Sequence, residues 1–156
     1  MKRLLEFFNL KKNQSTQDDF SHQRTLKTID FRAAGVCYYI NSIQKLAFSN
    51  PNYKKKANST DNGRIYRYNY INKPVKLIPE PQNPHDPNAV MVIIAGELVG
   101  YVPADLCLQI KRILSDFEIK YISSFISGGQ YKEVSCGKVI SRDEKDIYVN
   151  IKIGYV

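Results

Sequence analysis

Val75-Lys76-Leu77-Ile78-Pro79-Glu80-Pro81-Gln82-Asn83-Pro84-His85-Asp86-Pro87-Asn88-Ala89-Val90-Met91-Val92-Ile93-Ile94 consists of an apolar run, a proline-rich polar loop and a second apolar run. Proline fixes its own φ and pushes the residue before it into extended geometry. Glu80, Asn83 and Asp86 each precede a proline, so three polar side chains stand on backbone with little freedom. A stiff loop of donors and acceptors between two strands reads as a presented binding surface. The competing reading is a β-turn whose Asx hydrogen bonds satisfy the local amides.

Downstream, Asn88 to Ala95 reads as a buried strand by its continuous apolar character. Gly96-Glu97 is a hairpin turn and Leu98 to Val102 the return strand. Pro103 to Phe117 is the clearest helix, with Pro103 in its first turn and Leu106, Ile110, Ile113, Leu114 and Phe117 on one stripe. Glu118 to Ile126 alternates as a strand that Gly128-Gly129 should break. Tyr131 to Ser141 and Asp146 to Tyr155 read as two long strands joined by the charged loop Arg142 to Lys145. Upstream, Thr28 to Val36 is a strand ending at Gly35, and Tyr39 to Phe48 a helix stopped by Asn50-Pro51. Lys54 to Gly63 reads as a loop, Ile65 to Ile71 as a strand, and Pro74 to Pro79 as extended. Residues 1–27 read as an amphipathic helix over Lys2 to Lys12, expected to dock on the domain with a partner contact or an isolated appendage as alternatives, and a polar linker from Asn13 to Arg24.

Six to seven short strands with hairpin turns and two helices make a mostly β domain over 28–156. A small closed antiparallel barrel flanked by the two helices hides its sheet edges, and an open α+β sheet is the alternative. The barrel predicts burial of Val90, Val92, Ile94, Val99, Val139, Val149 and Ile151.

A chain of 156 residues suits one domain of ordinary size. Cys37, Cys107 and Cys136 have neither disulfide-scaffold nor zinc-ligand spacing, which argues against a metal site and fits a reducing cytoplasm. No segment reads as a signal peptide or has the apolar length of a membrane helix. The net charge of +8 is unevenly spread: residues 31–73 carry eight Lys/Arg against one Asp, whereas 74–156 carry nine against ten acidic residues. Those cations interleave with Tyr38, Tyr39, Tyr53, Tyr66, Tyr68 and Tyr70, a composition suited to a phosphate backbone and unstacked bases. Catalysis finds little support. There is no Gly-x-Ser-x-Gly elbow and no phosphate-binding glycine loop, and the adjacent His85 and Asp86 are half of a hydrolytic pair at most. No cofactor is expected.

Ala34-Gly35-Val36-Cys37-Tyr38-Tyr39, the Glu80 to Val92 segment and Val99-Gly100-Tyr101-Val102-Pro103 together, in this order and spacing, resemble the HIRAN domain. That family occurs at the front of helicase-like transcription factors and as stand-alone bacterial and phage domains. The resemblance spans about Thr28 to Tyr155. It implies a modified OB-like barrel and a non-enzymatic module that captures the 3′ end of single-stranded DNA in a DNA-repair setting. RNA is the alternative ligand, and the N-terminal helix offers a contact for a protein partner. Carried over by position, the DNA-binding candidates are Tyr38, Tyr39, Asn83, His85, Asp86 and Tyr101. Two departures stand out. Cys37 replaces an arginine of the DNA-binding relatives and Ala104 a lysine, so Arg32, Lys45 or the Lys54–Lys56 run would have to supply phosphate contacts. A protein-interaction module that kept the fold and lost the pocket is therefore the rival function.

Overall fold

The computed structural model describes residues 25–156. In chain order it contains β1 (Lys27–Arg32), a 3-10 turn (Val36–Tyr39), α1 (Ile40–Lys45), β2 (Ala47–Ser49), α2 (Pro51–Lys54), β3 (Gly63–Tyr66) and β4 (Tyr68–Tyr70). There follow β5 (Val75–Pro79), β6 (Val90–Ile94), β7 (Glu97–Tyr101), α3 (Cys107–Asp116), β8 (Ile119–Ser135) and β9 (Lys138–Tyr155). The strands pair antiparallel in three sheets, ordered β1-β9-β8-β3, β2-β4 and β5-β6-β7. The domain is mostly β, as the alternation predicts. The expected helix over Lys2 to Lys12 and the linker to Arg24 lie outside the described residues.

The expected barrel does not close. An edge of the four-stranded sheet meets an edge of the three-stranded sheet only through one bridge, Ala34 to Tyr101. There the Ala34 N–H donates to the Tyr101 carbonyl at 2.7 Å and the Tyr101 N–H donates to the Ala34 carbonyl at 2.9 Å. Directly afterwards Gly35 turns the chain into the 3-10 segment, so the ladder cannot extend into a closing seam.

The two apolar runs of the proline-loop stretch become β5 and β6, in register from Val75 opposite Ile94 to Pro79 opposite Val90. β6 lies between two strands, and its Val90, Val92 and Ile94 are buried with Val99, Ile110, Ile113, Val149, Ile151 and Ile153. Six of the seven predicted core positions are therefore inside; Val139 is 41% exposed. The exception follows from the hairpin of β8 and β9. Its turn is Cys136-Gly137, both at positive φ (45° and 74°), the geometry of a two-residue hairpin turn. β9 is consequently continuous through Arg142 to Lys145, which pair with Lys132 to Gly129 rather than forming a loop. Residues 138–146 are exposed on both faces, because here β9 is the free edge of a β9-β8-β3 stretch and β1 pairs with it only from Asn150 onward, so Val139 lies outside the core. Gly128-Gly129 does not end β8 but marks a register shift between Ser127 and Gly129, a bulge that bends the long strand.

Three helix boundaries also differ from expectation. The first helix stops at Lys45, because Ala47 to Ser49 pair with Tyr70 to Tyr68; tertiary pairing overrides the helical spacing. Asn50 starts a helix instead of stopping one: its side chain accepts the Asn52 N–H at 3.0 Å and Pro51 follows at the first helical position, a favourable N-terminal combination. Pro103 precedes α3 in a turn closed by the Leu106 N–H donating to the Pro103 carbonyl at 2.9 Å. α3 buries Cys107, Ile110 and Ile113.

Candidate nucleic-acid interface

The loop between β5 and β6 is held by its own polar side chains. Asn83 is the hub: its Oδ1 accepts the backbone N–H of His85 at 2.9 Å and of Asp86 at 3.2 Å, and its Nδ2 donates to Glu80 Oε2 at 2.7 Å. Asp86 Oδ1 accepts the Asn88 N–H at 2.8 Å, and the Asp86 carbonyl accepts the Ala89 N–H at 3.0 Å. The Glu80 N–H donates to the Ala89 carbonyl at 2.8 Å, closing the loop at its base. Lys111 of α3 reaches Asn88 Oδ1 at 3.2 Å and ties the loop to the helix. The Asx-turn reading is thus correct, and it is also what makes the loop stiff enough to present a surface.

Beside this loop lies a tyrosine cluster set by the end of β7. A Cβ on Gly100 would stand 2.7 Å from the Ala34 carbonyl oxygen, so the close approach that positions Tyr101 against the Ala34 segment requires glycine. The Tyr101 hydroxyl donates to Glu80 Oε2 at 3.0 Å. Burial, together with hydrogen bonds to Tyr39 and Glu80, raises the Tyr101 pKa well above the ordinary tyrosine value, so the hydroxyl keeps its proton and remains a donor. The Tyr39 and Tyr101 rings are 6.1 Å apart and tilted by 52°. Tyr39 is half-buried, while Tyr38 is 85% exposed, its ring edge lying near Gly35. One tyrosine of the pair faces inward and the other outward, as expected for neighbours at a strand–helix junction.

Of the predicted residues, Tyr101 and Asn83 are joined through Glu80 and Tyr39 packs on Tyr101; Tyr38 follows them only as Tyr39's neighbour in the chain, facing solvent. His85 is exposed on the loop. Asp86 is half-buried on the same loop, its Oδ1 committed to the Asn88 N–H. Its charge acts on Cys107, whose thiol pKa is raised by burial first, lowered by a Val90 backbone hydrogen bond, raised again by Asp86 and lowered by Lys111. Glu80 is the carboxylate that sequence reasoning left out of the site. Register contains the missing signal. Tyr101 pairs with Met91, and Glu80 continues the β5 ladder opposite Ala89, two residues away; alternation therefore puts Glu80 and Tyr101 on one face.

The basic residues of 31–73 do not form the single patch by the loop that their sequence clustering predicts. Arg32 lies over the Tyr148 ring, 3.9 Å from its centroid, in a cavity of about 490 Å³ that Cys37 and Lys145 also line. Lys45 is paired with Glu97 at 3.0 Å. Lys55, Lys56 and Arg64 line a different cleft, because pairing of β3 with β8 carries them toward the hairpin arm. Arg32 nevertheless shares a cavity wall with Cys37, the position at which the resembling relatives carry arginine. Among the described residues, no three of His, Cys, Asp and Glu are grouped to hold a metal ion, and no helix is long and apolar enough to cross a membrane.

No curated protein and no solved structure matches this chain significantly. The family model of the HIRAN domain does, over residues 26–153, a span that takes in the 3-10 turn, the proline loop and both long strands. With its tyrosine pair, its proline loop and its Gly100-Tyr101 return strand all inside that span, the chain belongs to the HIRAN domain family.

Proposed function

We propose that this chain is a non-catalytic module for single-stranded DNA and that it seats the strand's 3′ end between Tyr38, Tyr39 and the 80–88 loop. HIRAN domains in general are nucleic-acid-binding modules. The observation that carries the finer reading is an aromatic pair, Tyr39 and Tyr101, joined to a rigid acceptor set through Glu80, with the exposed ring of Tyr38 following Tyr39's position in the chain. Tyr38 is 85% exposed, and base stacking on such a ring contributes roughly 1–3 kcal/mol. Tyr101, Glu80 and Asn83 are locked together by hydrogen bonds, so no ordering of these side chains is needed when a ligand arrives. Asp86 uses one carboxylate oxygen as a turn cap and leaves the other to accept a terminal hydroxyl. A carboxylate accepts a hydroxyl well and repels a phosphate. Arg32, beside Cys37, supplies positive charge near the position that lost it.

The test is an anisotropy titration with short single strands that end in a free 3′ hydroxyl or in a 3′ phosphate. The free end should bind about ten- to a hundredfold tighter, the worth of one hydrogen bond to a charged acceptor. Equal affinity would refute end recognition. Absence of any binding would favour a protein-interaction module, the second reading, which the exposed uncharged side chains of Cys37 and Ala104 support.

A further inference from the structure

α2, the loop after it, β3 and β4 enclose an open cleft of about 470 Å³. Lys55, Lys56 and Arg64 line it, with Asp61 as the one carboxylate among the lining residues. Its walls are fixed by groups from distant parts of the chain. Lys132, on β8 and 1% exposed, donates from Nζ to the Lys55 carbonyl at 2.8 Å. Burying an ammonium is costly, and here it pins the main chain that carries two exposed lysines. Asn62 Oδ1 accepts the Cys136 N–H at 2.9 Å, docking the loop on the hairpin turn, and Asn50 Nδ2 donates to the Tyr66 carbonyl at 2.9 Å. Asp61 is spent internally, its Oδ2 accepting the Asn58 N–H at 2.8 Å. The Lys55 and Lys56 ammonium groups and the Asn52 and Asn69 side-chain amides have no partner among the described residues. Arg64 is held over the Tyr131 ring at 4.9 Å.

We propose that this cleft is a second nucleic-acid contact, which takes the sugar–phosphate backbone of a single strand away from its end. Lysine and arginine suit the phosphates, and amides that both donate and accept suit base edges. Ile65 and Tyr66 are the only apolar or aromatic residues among a lining otherwise made of amides and charges, so an apolar ligand is poorly matched, and a lone inorganic anion would leave the amides unused. The cleft shares no residue with the 80–88 loop or with Tyr38, Tyr39 and Tyr101, so it recognises strand interior where the other site recognises an end. The proposal rests on the nucleic-acid reading above but not on end recognition.

The probe is a circular single-stranded oligonucleotide, which has no end, longer than the ~16-nucleotide footprint of a large single-strand site. The wild-type chain should bind it with salt-dependent affinity. The double variant Lys55→Gln, Lys56→Gln alters two exposed side chains and should keep the wild-type melting temperature. Its plot of log affinity against log salt should be shallower by about 1.4, two phosphate contacts at roughly 0.7 each. Its discrimination between free and 3′-phosphorylated linear strands should be unchanged. The proposal is overturned if the wild type does not bind the circle or if the variant has the wild-type slope. Failure of end recognition would look different: wild type would bind free and blocked linear strands equally while the variant still lost its slope.

Discussion

Asp86→Asn separates the two jobs assigned to one side chain. Asp86 Oδ1 accepts the Asn88 N–H at 2.8 Å, and an asparagine carbonyl oxygen can make the same bond, so the Asx turn survives. The loop keeps its other ties through Asn83, and the fold should melt within about 0.5 kcal/mol of wild type, the range of substitutions that break no bond. What changes is the second oxygen, which becomes an amide nitrogen without charge. A hydrogen bond to a charged acceptor is worth about 1.5–3 kcal/mol and a neutral one about 0.5–1.5, so losing the charge removes roughly 1 kcal/mol even where an acceptor remains. Affinity for a free 3′ end should fall at least about fivefold, at 1.4 kcal/mol per factor of ten. Affinity for a 3′-phosphorylated strand should rise, since the repelling charge is gone. Asp86→Ala removes the cap as well, adding about 1 kcal/mol of instability to the binding loss. Anisotropy titrations with both strands, with thermal melts of each protein, read every term. If Asp86→Asn binds both strands as wild type does, Asp86 is a turn cap and nothing more.

Gly100→Ala would place a Cβ 2.7 Å from the Ala34 carbonyl and break the bridge that seats Tyr101, costing about 1–3 kcal/mol; a thermal melt should show the midpoint falling, and an unchanged midpoint would refute the close-approach argument. Tyr101→Phe tests the raised hydroxyl. In the unfolded chain a tyrosine ionises near its ordinary value of 10.0, whereas folded Tyr101 holds its proton to higher pH. The unfolded state then binds fewer protons, so stability is full below pH ~10 and declines as pH rises toward the folded value. Urea midpoints measured across that alkaline range should fall less steeply in the variant, with a residual slope from Tyr70, whose pKa burial also raises.

The centre of the fold was legible because its signals were local. Proline positions and two apolar runs define β5, the loop and β6, and a short turn leads into β7. The hairpin arm was illegible for a physical reason. A charged run usually marks a loop, but Arg142 to Lys145 lie on the outer edge of a β9-β8-β3 stretch, whose buried residues Tyr131, Lys132 and Val134 belong to β8, so no core imposes alternation on β9 there. Glycine misled in the same way, since Gly128-Gly129 bends β8 without ending it. Barrel closure was beyond reach of pattern altogether. It depends on whether the segment after β1 stays extended beyond Ala34, and the left-handed Gly35 decides that it does not.

The candidate site divides along the same line. Tyr38, Tyr39, Asn83 and Tyr101 were readable as candidates because the resemblance to the HIRAN domain places them at matching positions. Glu80 was not, because its role arises from pairing across three strands, not from its neighbours in sequence. That pairing changes how the loop should be understood. Asn83 is consumed in structure, with both its oxygen and its nitrogen bonded inside the loop, so it positions the acceptors more than it contacts a ligand. The carboxylates on either side of it share the remaining work: Glu80 fixes the Tyr101 hydroxyl and Asp86 caps the turn. The partly free oxygens they leave form the chemically distinctive part of the surface. A strand interior, which offers mainly phosphates, gains little from those oxygens; a terminal hydroxyl gains a charged acceptor. The cations, which would attract any strand, lie elsewhere, with Arg32 in one cavity and Lys55, Lys56 and Arg64 in another. On the proposed reading, affinity and end selectivity lie on different parts of the fold, so a mutation is expected to weaken one without altering the other.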